Sequence, residues 1–377
     1  MDKNKNRAIC HLTSVHPPFD IRIFYKECVS LARAGYQTSL IAPIGEETIK
    51  NGVRVVPIKL PENRLLRILI APFRMFRLAI QQKAAIYHFH DPELMLTGIL
   101  LRLAGKKVLY DIHENNRLNI LDKEYLGTFF KSVFYWGYLW FEKLAILFYH
   151  QLVLALSEET YRQYYSEKKS TVVLNFPLYK DIIIKNSDIK ANIRFVYAGV
   201  VHPTRGVVFM IELIARLNEK GLNASLDLVG AIRPDGFFEE IQKLSKDYHI
   251  TEKVNIHGFV DAPDVSKYLA GADFGLVFLY PYLRYKEALP TKIFEYMQQG
   301  LPVITNDFPL YKNYVEEMQT GICIDIEKLD EAINRILLLL DNPNSCQQMA
   351  QNGIELTQNR FNWSTQEAKL LELYASL

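Results

Sequence analysis

The chain has 377 residues, 49% of them hydrophobic and 23% charged, with a formal net charge of +2. That length exceeds what one hydrophobic core usually serves, so two compact domains of roughly 100–200 residues each are the starting expectation. The near-balanced charge gives no global reason to invoke nucleic acid, and Cys10, Cys28, Cys323 and Cys346 form no Cys-x-x-Cys pair, which argues against a disulfide scaffold and a thiolate zinc site. With no secretory apolar run at the N-terminus and no uninterrupted apolar stretch of about 20 residues, the expectation is a cytoplasmic protein, soluble or peripheral on the inner face of a membrane.

In chain order, short β-rich runs alternate with amphipathic helical stretches. Strands are predicted at 7–14, 37–43, 53–60, 85–90, 107–112 and 151–157, with helices over 21–35 and at about 64–82, 92–104 and 128–149. A second, more regular series places strands at 193–198, 225–229, 253–257, 274–279, 302–305 and about 322–326, with helices between them. This βα alternation predicts an α/β fold class, with a parallel sheet covered on both faces in each half. The stretch 175–190, a proline among charged and polar residues, is the predicted linker. Domains are therefore expected at 1–180 and 181–358, with 359–377 a helix crossing back to the first.

The most informative stretch is 286–304, KEALPTKIFEYMQQGLPVI. Pro290 suits the first turn of a helix and Gly300 its end. The first N–H groups of a helix have no internal partner, so those of Thr291, Lys292 and Ile293 are candidate phosphate donors, helped by the macrodipole and the Lys292 charge. Glu287 lies just before this helix and Glu295 about one turn inside it, so two carboxylates flank the anion position. Beside an anion they make sense as acceptors for hydroxyls, the arrangement a nucleotide sugar offers. Spacing alone leaves an ordinary capped helix with two solvated glutamates equally open.

Upstream, the strand ending FVYAG runs through 199–206, GVVHPTRG, into a helix, the place where an α/β sheet presents ligands. Arg205 sits at that turn with a guanidinium suited to clamping phosphate oxygens; a glycine-shaped βα turn with a solvated arginine is the alternative. No Gly-x-Gly-x-x-Gly fingerprint or Walker-type loop opens either half, which weakens a dehydrogenase or P-loop reading.

His88, His90 and His113 invite a metal reading, but the ligand spacing around them is unusual, and a polar role lining a cleft is favoured for His90 and His113. Two stretches, 127–149 with Phe129, Phe130, Trp136, Trp140, Phe141, Lys131 and Lys143, and 64–78 with Arg64, Arg67, Arg74 and Arg77, have the character of helices resting on an anionic membrane surface. Helices that simply cover a sheet are the slightly favoured alternative.

Taken together, KEALPTKIFEYMQQGLPVI resembles the E-x7-E signature of retaining glycosyltransferases of family 4, and GVVHPTRG resembles their glycine-plus-basic phosphate loop. TSVHPPFDIRIFYKECVSLARAGYQTSLIA, HFHDPELMLTGILLRLAGKKVLYDIHE and RFNWSTQEAKLLELY are similar to bacterial members in order and spacing, so the resemblance covers nearly the whole chain. It implies a GT-B fold, two Rossmann-like domains facing across a cleft, and a transferase that retains anomeric configuration. It further implies a nucleotide diphosphate sugar as donor substrate, no metal or other cofactor, and a glycan or polyprenyl-linked oligosaccharide as acceptor, in bacterial surface-polysaccharide assembly.

By that likeness Glu295 holds the nucleotide ribose, Glu287 and His113 act at the transferred sugar, and Arg205 with Lys292 hold the diphosphate. Gly199, Leu289, Thr291 and Val260 complete the donor set. Two positions depart from the family pattern. Val200 stands where an arginine often follows the loop glycine, and His16-Pro17-Pro18-Phe19-Asp20 stands where a Gly-Gly loop is common, which makes Asp20, Arg22 and His90 candidates on the acceptor side. An epimerase or phosphorylase on the same scaffold, and a catalytically silent nucleotide-sensing subunit, are the competing readings.

Overall fold

The computed structural model describes residues 7–122, 127–155, 157, 163–178 and 192–377. The predicted linker and the 180/181 boundary fall largely outside the described residues. The chain divides into two compact units, one of Met1–Leu178 with Trp363–Leu377, the other of Tyr179–Asn362.

The first unit is built on a sheet of β1 (Ala8–Leu12), β2 (Gln37–Ala42), β3 (Thr48–Lys50), β4 (Val53–Pro57), β5 (Ile86–Phe89), β6 (Lys107–Ile112), β7 (Gln151–Leu154) and β8 (Ser170–Val172). Their order is β3-β4-β2-β1-β5-β6-β7-β8. Every pair is parallel except β3 with β4, so the expected all-parallel sheet is corrected at one edge. The cause is local: Asn51 and Gly52 take φ of 51° and 79°, the two-residue turn that folds a chain into a hairpin. In the interior, Ile9, Cys10, Leu12, Ile86, Phe89, Val108 and Leu109 are fully buried, as expected of strands covered on both faces.

The helix after β1 opens as a π-helix, Ile21–Cys28, and continues as an α-helix over Val29–Arg33. Asp20 caps it, its Oδ1 accepting from Arg22 N at 2.8 Å and Ile23 N at 2.9 Å. This turn carries Arg22, Lys26 and Glu27 into the interior, a burial tolerable only if the charges are paired or neutralised. The C-terminal helix, Trp363–Ser376, belongs to this unit. Trp363 Nε1 donates to Ser30 Oγ at 2.9 Å, and Leu370, Leu373 and Tyr374 pack with Ile9, Ile86, Leu109 and Val153.

The helices Arg64–Gln81 and Thr128–Phe148 both pack against Met95–Leu103. Thr128–Phe148 buries Leu139, Glu142 and Ala145, with Glu142 accepting from Arg117 Nε at 2.7 Å. Its other face is a stripe of Phe129, Val133, Trp136, Trp140, Leu144 and Leu147, with Trp136 and Trp140 62% and 68% exposed. The favoured expectation, helices that only cover a sheet, is therefore incomplete: the same helices cover the sheet with one face and turn an apolar one outward. No helix among the described residues is long and apolar enough to cross a membrane.

The second unit holds β9 (Ile193–Ala198), β10 (Ala224–Val229), β11 (Val254–Gly258), β12 (Phe274–Val277), β13 (Val303–Asn306) and β14 (Gly321–Ile324) in the order β11-β10-β9-β12-β13-β14, all parallel. This is the doubly wound order, with the reversal between β9 and β12. Phe195, Leu226, Leu228, Phe274 and Leu276 form its core with Met210, Ile211, Leu213 and Ile214 of the helix Val207–Glu219.

Candidate functional site

In an open α/β sheet, ligands bind outside the carboxyl ends of the strands at the point where strand order reverses. In the second unit that point is framed by the loop after β9 and the loop after β12, and both carry the residues that the sequence singles out. Residues 199–206 close with a short 3₁₀ turn, Pro203–Arg205, and Gly206 at φ 68° then starts the helix Val207–Glu219. A side chain at 206 would meet Phe278 Cβ at 2.5 Å, so glycine is required by both conformation and space. The two loops are tied by Tyr280 N donating to Thr204 O at 3.1 Å and by the Thr204 and Tyr285 hydroxyls at 3.4 Å.

The helix Thr291–Gln298 is held in place by Tyr296, a buried ring lying where any side chain at Gly275 would sit. The Tyr296 hydroxyl also accepts from Ala198 N at 2.8 Å, so it fixes the helix against both β9 and β12. Pro290 is the residue before the helix rather than in its first turn, and Ile293 N donates to Pro290 O at 3.2 Å. Of the three N–H groups expected as phosphate donors, that of Ile293 is thus already used, which leaves Thr291 and Lys292.

Lys292 crosses to the glycine loop: its Cε lies 2.5 Å from where a Cβ on Gly199 would be. The bare backbone at 199 is what lets the lysine lie there. Lys292 Nζ is 3.5 Å from Glu295 Oε2, both half-exposed. Arg205 stacks its guanidinium over Tyr285 at 5.3 Å, and Arg284 stacks over the same ring at 4.6 Å. Burial opposes ionisation of Tyr285, but the hydrogen bonds of Thr204 and Arg284 and the two guanidinium charges outweigh it and hold the phenol below the ordinary tyrosine value. Sequence reasoning missed Arg284 and Tyr285, although an Arg-Tyr pair just before the E-x7-E stretch was the available signal.

Glu287 ends the one-turn helix Leu283–Lys286 and, like Leu289, is half-buried. Val260 follows Gly258 after the edge strand β11. The second unit therefore gathers Gly199, Arg205, Glu287, Thr291, Lys292 and Glu295 on the two loops and one helix at its reversal point, whereas Val260 stands at the sheet's edge strand.

In the first unit the reversal lies between β1 and β5. Thr13 Oγ1 at 2.8 Å and Ser14 N at 2.6 Å donate to Asp91 Oδ2, joining the loops after these strands. His113, just past β6, is 17% exposed at its side chain and places Nε2 2.9 Å from Asp111 Oδ2. Arg22 donates twice to Asp111, from Nε at 2.9 Å and Nη2 at 3.0 Å, and from Nη1 to Val173 O at 2.9 Å. Arg22 and His90 are both buried, 4% and 2% exposed. Their expected part as acceptor contacts is therefore corrected: Arg22 neutralises Asp111, and His90 bonds to other histidines. Asp20 is spent partly on capping.

Behind His113 lie His90, His11, His88, Glu27 and Tyr374, which the sequence reading left without a role apart from His90 and the metal question on His88. His11, Glu27, His88 and His90, and likewise His90, Asp111 and His113, bring ligating atoms within 4.8 Å of one another. The His11–His90 and His90–His113 nitrogen separations are 3.0 and 3.1 Å, hydrogen-bond lengths shorter than the roughly 3.3 Å that two nitrogens keep on a tetrahedral zinc. Burial holds His11 and His88 well below the ordinary histidine value, and holds His90 at about 4 against the pull of Asp111. Burial works against ionisation of Asp111, yet the Arg22 charge and His113 hold it well below the usual carboxylate range.

Residues 22–176 match the family described as Glycosyltransferase Family 4, and residues 180–356 match Glycosyl transferases group 1. Among curated proteins, an alpha-D-kanosaminyltransferase of Streptomyces kanamyceticus is 25% identical over 183 residues, 48% of this chain and 45% of that protein. The match thus spans less than half the length of that relative. Among solved structures, a sucrose-phosphate synthase of Thermosynechococcus elongatus superposes with a TM-score of 0.80 at 16% identity, covering 98% of this chain and 99% of that one. Anabaena HepE in complex with UDP and glucose gives 0.73 at 16% identity over 99% and 100%. The fold is accordingly that of the GT-B glycosyltransferases, with two Rossmann-like units.

Proposed function

For a chain that joins a glycosyltransferase family 4 domain to a group 1 domain, we propose a retaining, metal-independent glycosyltransferase. It moves a sugar from a nucleotide diphosphate sugar to a glycan or lipid-linked oligosaccharide. The observation that carries this reading is the set at the reversal point of the second unit, where Lys292 lies on Gly199 and Arg205 on Tyr285 while Glu287 and Glu295 flank the helix start. Arg205, Lys292 and the N–H groups of Thr291 and Lys292 stabilise charge growing on the leaving diphosphate, the task a metal performs elsewhere; donors already in place need not reorganise as that charge develops. Glu295 accepts from ribose hydroxyls, Glu287 from the transferred sugar, and His113 is the group assigned to that sugar from the first unit. HepE, the structural relative crystallised with UDP and glucose, supports the donor class.

A thermal-shift series over nucleoside diphosphates and their sugars, without added metal and with chelator, tests the donor. One of them is expected to stabilise the protein by about 2.7 kcal/mol at 100 times its Kd. No shift with any member, or a shift abolished by chelator, would count against the reading.

The apolar faces support a peripheral position on an anionic bilayer. On Arg64–Gln81, Leu65, Leu69 and Phe73 are exposed beside the exposed Arg64, Arg74 and Arg77, and on Thr128–Phe148 the aromatic stripe runs beside the exposed Lys143. Apolar residues for the acyl boundary with cations for the headgroups are the chemistry of an interfacial helix. Trp136→Ala with Trp140→Ala is expected to reduce co-sedimentation with phosphatidylglycerol vesicles several-fold while leaving thermal stability within about 1 kcal/mol. If the pair instead cost roughly 3–5 kcal/mol each and spared vesicle binding, the rings would be core residues.

A further inference from the structure

Donor and acceptor roles in the buried cluster of the first unit can be assigned bond by bond. Asp111 is the reference, because it takes both guanidinium bonds of Arg22 and as a carboxylate can only accept. His113 Nε2, 2.9 Å from Asp111 Oδ2, therefore carries a hydrogen, and His90 Nδ1, which faces that nitrogen at 3.1 Å, is an acceptor. A neutral His90 that accepts at Nδ1 carries its hydrogen on Nε2 and donates it to His11 Nδ1, 3.0 Å away. His11 Nε2 then carries the hydrogen and donates to the Tyr374 oxygen at 3.2 Å. The Tyr374 hydroxyl in turn donates to His88 Nδ1 at 2.8 Å. What remains is the hydrogen on His88 Nε2, a nitrogen that is buried with no hydrogen-bond partner.

Glu27 completes the accounting. Its two oxygens are buried without hydrogen-bond partners, and Arg22 Nε, though 3.1 Å from Oε1, spends its hydrogen on Asp111. Burial first, then the Asp111 charge, raise its pKa well above the usual range. One hydrogen-bonded chain thus runs from Asp111 through His113, His90, His11 and Tyr374 to His88.

We propose that Asp111 is a positioning residue for His113: it locks the ring with Nε2–H turned inward and leaves Nδ1 as the nitrogen offered to substrate as an acceptor. His113 Nδ1 has no hydrogen-bond partner among the described residues. An imidazole held from behind by a carboxylate is fixed in tautomer and orientation, which a solvated histidine is not. What His113 touches rests on the proposed transferase reading; the tautomers do not.

Long-range proton–nitrogen spectra of the full chain labelled at histidine with nitrogen-15, at pH 7.5, decide the assignment. Rings are identified by substituting one histidine at a time. The expected result is Nε2–H for His113, His90, His11 and His88. Nδ1–H on His113, or Nδ1–H on His90, overturns the proposal, and this measurement needs no altered Asp111 should such a variant fail to fold. Asp111→Asn, whose amide can donate, is expected to release the His113 tautomer and to lower kcat for transfer about 100-fold with nucleoside-diphosphate affinity within about twofold. Wild-type kcat in that variant would overturn the positioning role. A chain that transfers no sugar from any nucleotide donor would sink the proposed function, and the tautomer spectrum would still decide this inference.

Discussion

Glu295→Gln is expected to weaken nucleoside-diphosphate binding roughly 10- to 150-fold, whereas Glu287→Gln is expected to leave that binding almost unchanged and to lower turnover about 100-fold or more. The first figure follows from removing the charged acceptor of ribose hydroxyls, since hydrogen bonds to charged groups contribute about 1.5–3 kcal/mol. Loss of the 3.5 Å contact with Lys292 works the other way. A lysine freed of its carboxylate is more available to phosphate, which moves the expected loss toward the lower end. Neither change should unfold the protein: Glu295 is half-exposed, and a helical i,i+3 ion pair contributes only tenths of a kcal/mol. Glu287 behaves differently because its partner is the transferred sugar, so its contribution appears in the transition state and not in binding of the free nucleotide. Calorimetric titration with the diphosphate and initial rates with the full donor separate the two. Near-wild-type turnover in both variants would remove the strongest residue-level support for the transferase.

What was legible in the sequence follows the range over which each feature is encoded. The strands Lys107–Ile112 and Ile193–Ala198 were readable to the residue because a strand buried on both faces is a continuous apolar run between turns. Thr48–Lys50 and Ser170–Val172, with three residues each and partly exposed, carry no such pattern. Arg205, Glu287, Lys292 and Glu295 could be singled out as candidates because each lies on a short loop or helix that a local motif describes. The buried cluster could not, because its bonds join distant segments: Tyr374 and His11 are separated by 363 positions. One signal for it existed, the charges of Arg22 and Glu27 within an otherwise apolar helical stretch, together with Asp111 inside a strand. The aromatic helix Thr128–Phe148 was ambiguous for another reason. Its sequence is apolar nearly all round, and periodicity cannot say which face meets the sheet.

The same buried cluster predicts that the first unit loses stability on mild acidification, by about 3 kcal/mol per pH unit between roughly pH 6.5 and 4.5. Buried neutral histidines have depressed values in the fold, with His90 at about 4. Below about pH 6.5 the unfolded chain therefore takes up protons that folded His11, His88 and His90 refuse, and stability falls as pH falls. Glu27 acts in the opposite sense. Its value is raised in the fold, so its contribution is fully present below the unfolded value near 4.5 and is lost as pH rises. Three histidines against one glutamate leave a net uptake of about two protons on unfolding, which sets the slope. Asp111, depressed by Arg22, contributes stability that is present above its unfolded value near 3.8 and enters only in stronger acid. All three tryptophans of the chain, Trp136, Trp140 and Trp363, lie in this unit, so urea unfolding followed by tryptophan fluorescence reports on it selectively. Glu27→Gln removes the opposing group and should steepen the dependence to about 4 kcal/mol per pH unit. A flat profile from pH 7 to 5, or stability that rises on acidification, would mean that the buried rings are protonated in the fold, and the chain of neutral rings behind His113 could not then exist.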